Sequence, residues 1–416
     1  MLYQEIKQCR ICGNRNLVSI LNLGEQSLTG LFPEKNEKIE SGPLEIVKCF
    51  SAETNGSCGL TQLKYDYQME KLYGDNYGYR SGLNQSMVNH LEEIVRQIEK
   101  RVDLKDGDLV IDVASNDGTL LACYKNKNLD LLGIDPTAEK FKNYYPDYID
   151  KIADFFSKNL VRQSRGDKKA KVLTSIAMFY DLLDPLSTMK EIADILDDEG
   201  IWVVEQNYLP DMIKNTFYDT ICHEHLEFYA FRQFKWMADR SGLKIIDLNF
   251  NNTNGSSFCL TLAKKSSKFI EIKEKIFEIL EAEEASGLNG LEIYEKFRKN
   301  AEKHKKDLKQ LLNRLKSEGK KVLGYGASTK GNVLLQYCDL GIGDIPFIAD
   351  VNEYKFGRYT PGTHIPIISE KEARRLKPDY FLVLPWHFKE GILRREKDFL
   401  ASGGKMIFPL PEIEII

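Results

Sequence analysis

Four stretches of the chain gather residues whose types and spacing suit chemistry. Cys9 and Cys12 form a C-x-x-C pair in CRICGN, where Gly13 permits a tight turn, and Cys49 and Cys58 form a looser pair across FSAETNGS. Four thiolates suit a tetrahedral structural zinc with no open position; two buried pairs of reduced cysteine are the alternative. Cys123, Cys222, Cys259 and Cys338 are scattered singly and form no competing set. LVIDVASNDGTLL, residues 109–121, reads as a strand, a tight loop and a helix start. Asp112 ends that strand, Ala114, Ser115 and Asn116 make a loop that can lie close under a ligand, and Gly118 opens the helix. LDLLGIDPT ends in Asp135 and Pro136, with Asp135 twenty-three residues after Asp112. An acid at that point can accept hydrogen bonds from both ribose hydroxyls of a nucleoside. Asp154, Phe155 and Phe156 follow as polar and apolar contacts for an adenine. The three-glycine dinucleotide spacing is absent, which favours S-adenosylmethionine over NAD.

The third stretch is HEH, residues 223–225, which holds two of the six histidines. The fourth is GYGASTKGN, residues 324–332, placed after the strand KVL. Backbone N–H groups at a helix start attract phosphate, and Ser328, Thr329 and Lys330 add donors and charge. It is not a Walker loop, and an ordinary strand–helix turn is the plainer reading. His387 in LPWHFKE and Lys355 in NEYKFG are further, weaker candidates of the same kind.

The elements that must position these residues form three regions: 1–85, 86–265 and 266–416. The first is irregular and rich in Gly, Cys and Tyr. The second opens with an amphipathic helix bearing Val88, Leu91, Ile94, Val95 and Ile98 on one side. It continues with the strands LVIDVAS, LDLLGID, KVLTSI and GIWVVEQ between helical segments, the pattern of a parallel sheet wrapped by helices. A charged helical stretch over about 268–316 precedes a second α/β pattern, KVLGYGA, DIPFIAD, DYFLVLP and KMIFP. Its charges read as solvated helix faces with i,i+4 pairs. The expected fold class is α/β: a small zinc-binding domain, a central Rossmann-like domain and a second Rossmann-like domain.

Composition narrows the function classes. The 416 residues are 42% hydrophobic and 29% charged with a net charge of −4, as in ordinary globular proteins. Basic residues are mixed with acids throughout, so no nucleic-acid partner is expected. No apolar run approaches the roughly 18 residues that cross a bilayer, and the start lacks a signal-peptide pattern. A cytoplasmic location, with no membrane partner, is the expectation, and in a reducing compartment paired cysteines favour metal over disulfides.

The sequence resembles the zinc-containing sugar C-methyltransferases of deoxysugar biosynthesis over essentially its whole length. The resemblance is carried by CRICGN, CGLTQL, YGYRSGLNQSM, IDVASNDGTLL, HEHLEFYAF, NGSSF, GYGASTKGN and YTPGTHIPI. It implies zinc at Cys9, Cys12, Cys49 and Cys58, and S-adenosylmethionine as cofactor. It also implies a nucleotide-linked keto sugar whose carbon is methylated through a base-generated enolate. His225 occupies the position of the base, with His223 and Glu224 beside it, and Tyr79 matches an active-site tyrosine. The diphosphate would bind between the two Rossmann-like domains, near Ser328, Lys330, Asn332 and Lys355.

Two departures concern substrate contacts. Family members have a tyrosine where this chain has Cys222, and a histidine in the loop after the fourth strand where it has Asp181. Thiol and carboxylate are poor donors to an enolate oxygen, which leaves Tyr180 and Tyr79 to fill that role or implies a different acceptor. Ala114 replaces a glycine, which is compatible with cofactor binding at negative φ. O- or N-methylation of a carbohydrate is the rival within enzymes, and a catalytically silent binding protein is the rival outside them. A monomer or weak homodimer is expected.

Overall fold

A computed structural model of the chain describes residues 2–51, 57–73, 77 and 79–416. The amino-terminal lobe holds β1 (Tyr3–Glu5), β2 (Leu17–Ser27), β3 (Ser41–Cys49), β4 (Thr61–Leu63) and β5 (Tyr65–Tyr67). β1 pairs with β5, while β2, β3 and β4 form an antiparallel sheet in that order. The strands are short or bulged, so periodicity is faint in the sequence.

The central sheet follows from near-continuous apolar runs, the pattern of strands covered on both faces. β6 (Leu109–Val113) is buried at every position, and β7 (Asp130–Ile134), β8 (Ile149–Ile152), β9 (Ala170–Ile176) and β10 (Leu196–Asn207) extend the sheet in parallel. β11 (Glu227–Phe228) leaves this sheet and pairs with β4 at the edge of the amino-terminal one. β12 (Leu243–Asn251) and β13 (Ser257–Lys264) complete the order β8-β7-β6-β9-β10-β13-β12, with β13 antiparallel to both neighbours. From β6 the chain winds outward one way to β7 and β8, then restarts on the other side at β9. Between β6 and β9 the connecting loops part, and that crevice at the carboxyl ends is where α/β sheets bind ligands.

The carboxy-terminal unit repeats the device. β14 (Val322–Tyr325), β15 (Ile348–Asp350), β16 (Ile367–Ser369), β17 (Tyr380–Val383), β18 (Lys405–Phe408) and β19 (Glu414–Ile415) lie in the order β16-β15-β14-β17-β18-β19. Only β19 is antiparallel. Its switch point, between β14 and β17, is where GYGASTKGN leaves β14.

The helix Gln85–Arg101 buries Met87, Leu91, Ile94, Val95 and Ile98, while Val88 is only half-buried. The charged stretch is two helices, Lys273–Ala285 and Glu292–Ser317, separated at Gly287, whose φ of +83° suits glycine. Ion pairs Arg298–Glu302 and Lys303–Asp307 line the solvent face of the second, as the charge spacing predicts. Ile276 on the first helix packs into the central core. No helix among the described residues is long and apolar enough to cross a membrane.

One buried carboxylate joins these parts. Glu283 accepts from the Phe231 and Arg232 N–H groups at 2.6 and 3.1 Å and from the Tyr208 hydroxyl at 3.0 Å, and so closes the start of the helix Phe231–Arg240. Glu283→Ala leaves those donors unpaired, and unfolding in urea is expected to show a loss of about 1–3 kcal/mol.

Candidate active site and metal centre

The four cysteines expected to bind zinc meet. Their Sγ atoms all lie within 4.8 Å of one another, with Cys9–Cys58 and Cys12–Cys49 at 3.5 Å, and none is in a disulfide. Zn–S bonds of about 2.3 Å require S···S edges of about 3.8 Å in a tetrahedron, so the donor set fits zinc. Asn14 donates from Nδ2 to Cys49 Sγ at 3.4 Å and supports a sulfur from outside the cluster. The metal supplies folding energy here, since four protein ligands leave no position for a substrate.

Arg10, between the first two ligands, is nearly buried and reaches out of the knuckle. Its Nη1 donates to the carbonyls of Leu63 and Leu226 at 2.8 and 3.2 Å, and its Nη2 pairs with Asp66 at 2.6 Å. Leu63 N in turn donates to Leu226 O at 2.7 Å. The zinc knuckle therefore grips the strand that follows HEH.

The loop after β6 has an unusual backbone. Ala114 and Asn116 adopt φ of +61° and +51°, and Gly118 follows at +76°. The expected negative φ at Ala114 is thus corrected. Each left-handed non-glycine residue costs roughly 1–2 kcal/mol, and local hydrogen bonds hold the loop against that cost. Ala114 N donates to Ile134 O at 2.8 Å, Asn116 N to Asp135 Oδ2 at 2.9 Å, and the Tyr145 hydroxyl to Asn116 O at 2.9 Å. Ser115 Oγ meets the same Tyr145 hydroxyl at 2.7 Å, and a Cβ on Gly118 would strike the Tyr145 ring.

Asp135 also accepts from Thr137 N and Oγ1 at 2.6 and 2.5 Å, so a ribose would share a carboxylate that already shapes the loop. Asp112 is turned into the sheet, where the Thr174 hydroxyl donates to it at 2.5 Å and burial pushes it up to about 7. Pro136 is half-buried beyond β7, while Asp154 and Phe155 are exposed beyond β8. Phe155 lies 6.3 Å from the Tyr73 ring.

Asp117, not singled out from the sequence, closes the crevice together with Asn116. Asp117 Oδ2 accepts from Gly82 N at 2.9 Å and Asn116 Oδ1 from Ser81 N at 2.9 Å, while Asn116 Nδ2 donates to Tyr79 O at 3.3 Å. The segment Tyr79–Gly82 is thus stitched to the loop. Tyr79 is 47% exposed, and Gly78 before it lies outside the described residues.

HEH does not cap a helix, because β11 and three further residues separate it from Phe231. The three side chains diverge. His225 stacks on Tyr180, ring centroids 4.4 Å apart, and its Nδ1 lies 2.7 Å from Thr220 O. A carbonyl only accepts, so Nδ1 carries the hydrogen and Nε2 keeps a free lone pair. Burial, with the Lys330 charge adding, lowers this imidazole to about 3. Glu224 is buried with Oε1 unpartnered among the described residues, and Thr29 Oγ1 donates to its Oε2 at 3.4 Å.

His223 is fully buried and turned toward the amino-terminal lobe. Its Nδ1 lies 3.3 Å from Thr29 N and its Nε2 3.4 Å from Gly42 O. Both of its nitrogens are engaged, one by Thr29 and the other by the Gly42 carbonyl. Cys222 is also fully buried in the core, against Glu224, with burial raising its thiol well above the usual range.

The carboxy-terminal unit presents its own switch point to the same place. Lys330 Nζ donates to Asn254 O in the β12–β13 loop at 2.7 Å, and burial lowers its amine. Ser328 caps its own helix, accepting from Gly331 N at 3.0 Å. Asn332 donates to Thr29 O at 2.8 Å and keeps Oδ1 unpartnered; Lys355 donates to Ala327 O at 2.7 Å over the Phe32 ring. Trp386 Nε1 donates to Asp219 Oδ2 at 2.7 Å, joining two residues 167 apart that the sequence gave no reason to pair. Asp219 Oδ1, Asn207 Oδ1 and His387 Nδ1 are buried without partners among the described residues. Asp219 and His387 both feel the Lys330 charge, so two of these groups gather on the side of the carboxy-terminal switch point.

The central unit, with its crevice at β6 and β9 and an acid at the end of β7, is that of an S-adenosylmethionine-dependent methyltransferase. Comparison with known sequences extends this to the whole chain. Family models described as "Putative zinc binding domain", "Methyltransferase domain" and "C-methyltransferase C-terminal domain" match residues 9–73, 86–248 and 252–411. The C-methyltransferase NovU of Streptomyces niveus is 28% identical over 419 residues, covering 100% of this chain and 98% of that one. The chain belongs to the zinc-containing, S-adenosylmethionine-dependent C-methyltransferases.

Among solved structures, the Haloferax volcanii methyltransferase in complex with its Trm112 activator has a TM-score of 0.34 at 15% identity, over 44% of this chain and 94% of that one. LepI in complex with SAM gives 0.33 at 15%, over 41% and 46%. The CcbJ methyltransferase of Streptomyces caelestis gives 0.33 at 10%, over 42% and 89%.

Two measurements follow from this geometry. Metal analysis should find about one zinc per chain in the purified protein and little in Cys58→Ala, with a lowered melting temperature. Lys330→Gln removes a positive charge that disfavours imidazolium, so NMR titration should place the His225 midpoint higher than in the unmodified protein.

Proposed function

We propose that the chain methylates a carbon beside the carbonyl of a nucleotide-linked keto sugar, by way of an enolate. The observation that carries this reading is the tautomer of His225. Thr220 O holds the Nδ1 hydrogen, which leaves the Nε2 lone pair on a buried ring that packs on Tyr180 and feels the Lys330 charge. His225 Nε2 takes the proton from carbon, and the C–H electron pair becomes the enolate, whose negative charge rests on the former carbonyl oxygen. S-adenosylmethionine supplies the methyl as a cation equivalent, its S–CH3 electron pair staying on sulfur. Ala114, Ser115, Asn116, Gly118 and Asp135 line its place, with Phe155 as an adenine contact. Tyr79 and Tyr180 flank the reacting carbon, and Glu224 hydrogen-bonds the sugar.

Lys330 and Lys355, with Asn332, face the nucleotide diphosphate from the carboxy-terminal unit, which makes the division 1–85, 86–265 and 266–416 a functional one. Zinc has no part in the chemistry. It supports the lobe that holds the HEH segment.

The test is transfer from isotopically labelled S-adenosylmethionine to a panel of nucleotide-linked keto sugars, with NMR of the product. A label on the carbon next to the carbonyl is expected; a label on oxygen or nitrogen sinks the enolate reading. His225→Asn should lower turnover by about 10²–10⁴-fold. Turnover within threefold of the unmodified enzyme would remove His225 as the base.

A further inference from the structure

One shielded oxygen beside the HEH segment has no use in the fold. Asp181, in the loop after β9, accepts the Tyr73 hydroxyl on Oδ2 at 2.9 Å. Its Oδ1 is screened from solvent and has no partner among the described residues. The preceding residue fixes where this carboxyl stands: Tyr180 O accepts from Leu226 N at 2.7 Å, and the Tyr180 ring stacks on His225. Cys222, Glu224 and Glu227 on the HEH segment, and Tyr73, Tyr77 and Tyr180 on neighbouring segments, all feel the charge Asp181 would carry.

A carboxylate in that setting would be desolvated and would face a second carboxyl, Glu224. Burial drives Asp181 well above the usual carboxylate range and Glu224 adds to it, against the opposing Tyr73 hydrogen bond. In the neutral acid the oxygen that accepts from Tyr73 is the carbonyl one, so the proton sits on the unpartnered Oδ1. An ionised carboxylate has no hydrogen to donate. A carboxylic acid is a good donor, as in enzymes that keep an aspartic acid neutral to bind an enolate.

We propose that Asp181 Oδ1 donates a hydrogen bond to the substrate oxygen that gains negative charge when the neighbouring carbon is deprotonated, which makes Asp181 a catalytic residue. This rests on the enolate reading above. The Asp181 proton stays on Asp181 throughout; the proton that leaves carbon goes to His225 Nε2. An imidazole with so low a proton affinity is a weak base, so deprotonation leans on stabilisation of the oxygen.

The experiment follows hydrogen–deuterium exchange at carbon in a nucleoside-diphosphate-linked 4-keto-6-deoxyhexose, with S-adenosylhomocysteine bound, alongside turnover with S-adenosylmethionine. Asp181→Ala should slow both by about 10²–10³-fold with little change in KM, since one oxyanion donor is lost. Asp181→Asn, which keeps the shape and an N–H donor, should stay within about tenfold of the unmodified enzyme. Exchange should fall at high pH as the acid ionises, and this limb should vanish in Asp181→Asn, where Tyr73, Tyr77, Tyr180, Cys222, Glu224 and Glu227 are untouched. That comparison decides the matter even where the alanine variant does not fold.

The proposal is overturned by an alanine variant within threefold of the unmodified enzyme. An asparagine variant as slow as alanine, or one that keeps the high-pH limb, overturns it equally. The enolate reading fails separately, when the unmodified enzyme shows no exchange at carbon and methylates oxygen or nitrogen instead.

Discussion

The site depends on how a short strand, Glu227–Phe228, is held. It belongs by sequence to the central unit yet pairs with β4 in the amino-terminal sheet, and Arg10 clamps the Leu226 carbonyl just before it. Arg10 stands between two of the four cysteines, so its position is tied to the turn that brings their thiols together. An arginine fork that donates to two carbonyls and a carboxylate is rigid in a way a lysine would not be. Leu226 N, in the peptide before it, donates to Tyr180 O. His225 is the next residue back. Its ring is confined while the N–H and the carbonyl of the following residue are both held, and that links a cysteine knuckle at residue 9 to the placement of residue 225.

The same reasoning explains why the metal is needed at all. The lobe's strands are short and bulged, and its largest sheet has four strands. Such a sheet buries little apolar area alone, and cross-linking four points of the chain through one ion offsets that deficit. What the lobe gains in rigidity it passes to the site through Arg10 and through Thr29. Thr29 hydrogen-bonds His223, Glu224 and Asn332, one residue group from each side of the interface.

Much of this was legible in the sequence because it was local. The strands of both α/β units read as apolar runs, since each is covered on two faces, and the loops after β6 and β14 carried their own glycines. The cysteines paired despite an eight-residue gap because zinc needs only their sulfurs to meet. The failures were all long-range. His223 and His225 are indistinguishable as letters, and only the folded chain gives one the partners Thr29 and Gly42 and the other Thr220. The left-handed φ at Ala114 is set by Ile134 and Asp135 across the sheet. Asp219 meets Trp386, and Asp181 meets Tyr73, over separations that no spacing rule spans.

The two Rossmann-like units also solve one problem twice. At the end of β7, Asp135 accepts from Asn116 N in the loop after β6; at the end of β15, Asp350 accepts from Ala327 N in the loop after β14, at 2.7 Å. Each acid thereby fixes a loop that must pass close under a ligand without a side chain in the way. Each also spends part of its accepting capacity on its own chain. A carboxylate has about four lone-pair sites, and Asp135 uses three while Asp350 uses one on Ala327 N and one on Asn352 N. Asp135 therefore keeps little room beyond a single strong ribose contact. The burden of recognition shifts to the groups with unpartnered atoms, Asn207, Asp219, Glu224 and Asn332, which stand between the two loops. Among the described residues these buried polar atoms have no partner within the fold, which leaves them able to accept or donate to a bound molecule.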